Sequence, residues 1–177
     1  MCWDEWDQAI DEQVEEILQQ ISVNEPPVDA LRTARLLGCE IAYDQSQGGR
    51  ARQKLLEGQP AVFLRPDKRP ERLQWATAHE LGEIMAWQIC RKTNALIDEL
   101  PQEFREQLAN RFASRFLLPN SWFQQDFRSR GRDLFQLKER YRTVSHELIA
   151  RRLQDLNPLM LMTIIDQGEV SLRRNGY

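Results

Sequence analysis

The chain has 177 residues, of which 29% are charged and 41% hydrophobic, with a net charge of −3, the make-up of a globular chain long enough for one sizeable core. That balance excludes a disordered chain, and no apolar run approaches the roughly 20 residues needed to span a bilayer. The three cysteines, Cys2, Cys39 and Cys90, are odd in number and lack C-x-x-C spacing, which speaks against a disulfide framework and against a thiolate zinc site.

The first predicted element is an amphipathic helix over residues 4–21, with apolar positions at Trp6, Ile10, Val14, Ile17, Leu18 and Ile21 and an acidic outer face. The N-terminal stretch, "MCWDEWDQAIDEQ", lacks the basic and apolar regions of a secretory signal, so export is not expected and a cytoplasmic location is. "NEPP" breaks the helix, "VDALRTARLLG" forms a second one closed by Gly38, and "CEIAYD" is the strand that follows. A turn at "QSQGGR", a weak strand in "RQKLLEG" and a short apolar run in "PAVFLRP" complete a small antiparallel sheet laid against helices. Pro70 then stands near the first turn of a long helix, where its missing N–H costs nothing. Pro101 opens another helix, with Phe104, Leu108, Phe112 and Phe116 or Leu117 at helical spacing, and Pro119 stops it. Two shorter helices are expected at 131–141 and 145–155, and the chain closes in a hairpin, 159–173, turning at Asp166, Gln167 and Gly168.

The chemistry is concentrated in "ATAHELGEIMAWQIC", residues 76–90. In H-E-x-x-H the two imidazoles stand one helical turn apart and bind zinc, while the intervening Glu accepts a proton from water. Here the fifth letter is Glu83. His79 and Glu83, at i and i+4, share a helix face, and Glu80 lies about 100° round from His79. Trp75, Ala78, Gly82, Met85 and Ile89 form an adjacent apolar stripe; Gly82 costs about 1 kcal/mol in helix propensity relative to Ala and calls for a close neighbour, backbone or substrate. A zinc site that keeps a position open for water needs a third protein ligand. The 101–118 helix offers Glu103 and Glu106, with Asn110 one turn beyond Glu106. Other features read more plainly. His146 in "VSHELIARRL" has no second ligand one turn on and reads as a cap-region or surface histidine. The basic stretch "RSRGRDLFQLKERYR", residues 128–142, reads as a solvated helix face rather than a nucleic-acid surface.

From about residue 27 to about residue 155 the sequence resembles the ImmA/IrrE-type metallopeptidases, which have a gluzincin-like core. The blocks that carry the resemblance are "PPVDALRTARLLGCEI", "PAVFLRPDKRPERLQWATAHELGE", "EQLANRFASRFLLP" and "VSHELIARRL", in that order. The resemblance implies that His79, Glu83 and Glu106 are the metal ligands, Glu80 the general base and Asn110 a support for His79. Glu83 stands where the family has its second ligating histidine, and Trp87 where many members carry a further one. A carboxylate is a legitimate zinc ligand, but a His/Glu/Glu set neutralises a divalent ion and so acidifies water less, and harder ligands shift preference toward manganese or magnesium.

The sequence therefore predicts an α+β fold in one domain over residues 1–177, mostly helical, with a small antiparallel sheet beside an HExxE active helix. It predicts a metal-dependent endopeptidase, with zinc as the expected metal, manganese as its alternative, and a metal-free site as the alternative to both. The resemblance implies a protein substrate, a helix-turn-helix repressor cut at one site in a stress or mobile-element circuit. Neither nucleic acid nor membrane is an expected partner. The rival reading is a catalytically impaired pseudopeptidase that binds or senses a protein.

Overall fold

A computed structural model describes residues 2–56, 58–156, 161–166 and 169–174. Helix α1 (Trp3–Gln20) buries Trp6, Ile10, Val14, Ile17 and Leu18, the apolar stripe of its sequence. Helix α2 (Ala30–Leu36) starts at Asp29, whose carboxylate accepts from the Arg32 amide, and it closes before Gly38, where φ is 83°. That left-handed conformation favours glycine and lets the chain turn directly into strand β1 (Glu40–Tyr43).

Strands β2 (Ala51–Leu56) and β3 (Gln59–Leu64) complete a three-stranded sheet in the order β1-β3-β2. The expectation of an antiparallel sheet is corrected here: β2 pairs antiparallel with β3, but β1 pairs parallel with it, Ile41 opposite Val62. The reason lies in the connections. The 44–50 segment carries the chain from β1 past the place of β3 to β2, and the tight turn at Gly58 then sends β3 back between them, so β3 runs against β2 and along β1. Strand β3 buries Ala61, Val62 and Leu64, while β2 is exposed along nearly its whole length as an edge.

Helix α3 (Pro70–Lys92) runs beneath this sheet, with Ala76 packed on Val62 and Leu64 in a small apolar cluster. Its other face meets α4 (Gln102–Leu117), and Ala78, Leu81, Ile89, Leu108, Phe112 and Phe116 are all fully buried between them and their neighbours. Helix α1 lies across α4. Trp3 stacks on Phe104 with ring centres 4.6 Å apart, and Asp7 and Asp11 receive Arg111 and Arg115.

The sequence predicts no helix between Pro119 and residue 131, yet α5 spans Asn120–Arg130. Pro119 stops α4 and also serves as the extended cap from which α5 starts, a double use that a single breaker residue conceals. Helices α6 (Leu134–Arg140) and α7 (His146–Leu156) occupy the two predicted places. The basic stretch 128–142 is partly engaged within the fold: Arg130 and Arg140 both pair with the buried Asp126 carboxylate, to which Tyr141 also donates, and Lys138 pairs with Glu71 of α3. Strands β4 (Met162–Asp166) and β5 (Glu169–Arg174) form the expected hairpin, although Gln167 and Gly168 of its turn, and residues 159 and 160, lie outside the described residues. The cysteines are free, Cys39 and Cys90 buried and Cys2 exposed. No described helix is long and apolar enough to cross a membrane.

Candidate metal centre

Helix α3 sets His79 and Glu83 one turn apart on a face that looks toward both α4 and the edge strand β2. The close approach of α4 is permitted at Gly82: a Cβ there would lie 3.0 Å from the Ala109 Cα and carbonyl oxygen and 3.1 Å from the Phe112 Cβ. This contact answers the question the glycine raised in the sequence, since its neighbour is the backbone of α4. It also brings Glu106 and Asn110, one turn apart on α4, up to the His79 ring.

The His79 imidazole is addressed on both nitrogens. Its Nδ1 lies 3.1 Å from Asn110 Oδ1. Its Nε2 lies 3.5 Å from Glu106 Oε1 and 3.8 Å from Glu83 Oε1. Ligand atoms of His79, Glu83 and Glu106 all fall within 4.8 Å of one another. Glu103, the other carboxylate that the α4 sequence offered, is not among them. Gln53, in the middle of β2, donates from its Nε2 to Glu83 Oε2 at 3.1 Å. Sequence reasoning did not single out Gln53; the only signal was its place in a strand beside the active helix, and nothing in a polar, alternating strand marks one residue as the one that faces Glu83.

Glu80 is 94% buried, with a relative exposure of 6%, and is not part of the three-residue cluster. Burial first, and then the neighbouring Glu83 charge, push its carboxyl up to about 7, against the opposing pull of His79 and with Glu106 adding to the rise. The Glu83 carboxylate beside it raises the His79 ring against the lowering effect of its burial, with the Glu106 and Glu80 charges adding to the rise. The neighbouring His79 ring in turn lowers Glu83, despite burial.

This electrostatic arrangement has a simple logic. An Asn carbonyl at Nδ1 selects the tautomer with hydrogen on Nδ1, which turns the Nε2 lone pair toward two carboxylates. A lone pair and two anions facing one another repel unless a positive charge lies between them. Without a metal that charge is a proton, and with one it is the ion. The donor set fits a divalent cation: atoms sharing one tetrahedral ion at about 2.1 Å stand roughly 3.4 Å apart, close to the separations around His79. One imidazole and two carboxylates suit zinc and manganese alike.

Trp87, one turn beyond Glu83, is 53% exposed and lies under the Arg91 guanidinium at 4.8 Å. His146 is exposed at the start of α7, beside Phe135, in keeping with the surface role expected of it.

Residues 35–154 match the IrrE N-terminal-like domain of the M78 peptidases. Among solved structures, a Mycobacterium tuberculosis transcriptional regulator shares the fold with a TM-score of 0.65 at 21% identity, over 94% of this chain and 55% of that one. The chain thus spans about half the length of that regulator. No curated protein matches the chain.

Proposed function

The chain belongs to the IrrE N-terminal-like M78 peptidases, a family of metal-dependent peptidases, and from that premise we propose that it is a metal-dependent endopeptidase acting on a regulatory protein. The observation that carries this reading is the convergence of His79, Glu83 and Glu106 to within 4.8 Å, on elements that also bury Glu80 beside them. Nothing in folding requires three acids and a histidine to meet at the junction of two helices and an edge strand, since like charges brought together cost stability.

In this reading His79, Glu83 and Glu106 hold the ion, and Asn110 orients His79. A bound divalent cation supplies Lewis acidity, making water more acidic and a peptide carbonyl more electrophilic. Glu80 accepts the proton of the attacking water as the new C–O bond forms, and it returns that proton to the amine nitrogen as the C–N bond breaks. The burial that raises Glu80, with the Glu83 charge beside it, suits a group that must both take and give a proton near neutral pH. The open edge of β2 accepts an extended peptide as a further strand, which aligns a scissile bond with Glu83 and its partner Gln53. The resemblance to ImmA/IrrE proteins supports a helix-turn-helix repressor as substrate, with zinc as the metal and manganese as its alternative.

A second reading rests on Glu83 itself. Its carboxylate is tied to Gln53 and paired with His79, so the cluster is satisfied by a proton alone, as in a pseudopeptidase that binds a partner without cutting it. The two readings separate in one experiment: elemental analysis and repressor cleavage on the same protein, purified without chelator. Metal near one ion per chain with cleavage supports the peptidase. Fewer than about one ion per ten chains, with no cleavage on adding zinc or manganese, supports the binding module.

A further inference from the structure

One turn before His79, α3 opens onto a cavity of about 420 Å³ whose lining includes Arg50, Arg69, Arg72, Trp75 and Arg151 with two acids, Glu71 and Glu147. Both acids are already engaged: Glu71 with Lys138 at 3.0 Å and Glu147 with Arg151 at 2.8 Å. Arg72 pairs with Asp67 at 3.1 Å. Arg50 and Arg69 enter no ion pair among the described residues, although the Arg69 charge is felt at Asp67. Two arginines on one cavity wall repel each other, so this wall is complementary to an anion that the chain does not itself provide.

The cavity adjoins the candidate metal centre along two elements at once. On α3, Trp75 precedes His79 by one turn, ~6 Å at 1.5 Å per residue. On the strand side, Arg50 immediately precedes β2 and stands ~10 Å from Gln53 at about 3.3 Å per residue, and Gln53 holds Glu83. A peptide paired antiparallel along the free edge of β2 runs from the Leu56 end toward the Ala51 end, so its C-terminal part passes from the cluster to the cavity. The distance corresponds to about two or three extended residues.

We propose that this arginine-lined cavity is a specificity subsite for an acidic side chain, Asp or Glu, two or three residues to the C-terminal side of the bond at the metal centre. The proposal rests on the peptide-binding reading of the site and names a substrate class for it. Arg50 and Arg69 supply the unpaired charge, whose forked donors match a carboxylate, and Trp75, one helical turn before His79, belongs to the same lining.

The test uses fluorescein-labelled decapeptides of one neutral sequence, in which Glu, Gln or Lys is moved through successive positions. Binding is read by fluorescence anisotropy on the zinc-supplemented Glu80→Gln chain, and cleavage by mass spectrometry on the zinc-supplemented native chain. Glu at the favoured position should bind about tenfold more tightly than Gln, as expected of a charge-assisted contact, with the advantage shrinking in high salt. The Glu-to-Gln ratio should fall to about one in R50A/R69A and invert in favour of Lys in R50E/R69E, while Arg128→Ala on α5 keeps it. Both arginines are exposed, so these variants are expected to fold, and circular dichroism checks that they do. Equal binding of Glu and Gln peptides at every position, or a ratio that survives R50A/R69A, overturns the subsite. Cleavage without such a preference leaves the peptidase reading standing and removes the subsite. A preference abolished by the variants in a chain that cuts none of the peptides supports the subsite and counts against the peptidase reading.

Discussion

Gly82 of α3 and Ala109 of α4 touch backbone to backbone, so closely that a methyl group on the glycine would stand 3.0 Å from the Ala109 Cα. The contact sets the separation of the two helices that carry the site. His79 lies just before Gly82 on one helix, and Glu106 and Asn110 flank Ala109 on the other, so the spacing of the candidate ligands is governed by this one glycine.

Gly82→Ala should therefore destabilise the protein, although alanine is the better helix former by about 1 kcal/mol. Overpacking of a buried helix pair costs about 1–3 kcal/mol, and it should outweigh the propensity gain. Denaturant unfolding of the variant checks the sign; a rise in the midpoint would show that α4 yields freely. Metal affinity should fall alongside stability, because Glu106 and Asn110 move with the Ala109 backbone.

Asn110 and Gln53 each contact a candidate ligand, His79 and Glu83, and stand outside the three-residue cluster itself. Asn110→Ala frees the tautomer and orientation of His79, and Gln53→Ala releases Glu83, so each should weaken zinc or manganese binding by about 10- to 100-fold. Isothermal titration on each variant reads this directly. Unchanged affinity in both would mean that the cluster is not where the ion binds.

Glu83→His gives the centre a second neutral imidazole in place of a carboxylate and raises its charge by one unit. Zinc occupancy by elemental analysis should rise, since imidazole suits zinc, and repressor cleavage should rise with it. Adding Glu80→Gln should leave the ion bound and lower kcat by about 10²- to 10⁴-fold, the share of a general base. A zinc-loaded Glu83→His chain that cuts nothing would place the defect in substrate access rather than in the ligand exchange.

Asp126 predicts how the fold responds to acid. Burial would raise its carboxyl, but hydrogen bonds from Tyr141, Arg140 and Arg130 outweigh burial and hold it below the ordinary range. A carboxylate lowered in the folded state contributes stability that is present above its unfolded value near 3.9, and that is lost as the pH falls through the folded value. Thermal unfolding should thus show a loss of stability below about pH 4, and Asp126→Asn should flatten that part of the profile. The same substitution should cost about 1–3 kcal/mol at neutral pH, because it weakens the tie between α5 and α6. A profile unchanged by Asp126→Asn would assign the acid sensitivity to other carboxylates.

Much of this protein is legible in one dimension because the physics there is local. A 3.6-residue period placed α1, α3 and α4, prolines marked the starts of α3 and α4, and i, i+4 spacing put His79 with Glu83 and Glu106 with Asn110. The motif also singled out Glu80 as the group between. What needed the tertiary structure was everything set by contacts between elements far apart in sequence. Strand direction in the sheet depends on the path of the 44–50 segment, which no residue pattern encodes, and β1 turned out parallel to β3. The burial that carries Glu80 up to about 7 comes from the packing of α3 against its neighbours. The convergence of Glu106 on His79, the support of Glu83 by Gln53, and the gathering of Arg50 with Arg69 in one cavity lining all follow from helix and strand placement. Sequence spacing assigns a side chain to a face, and only the packed fold decides what that face meets.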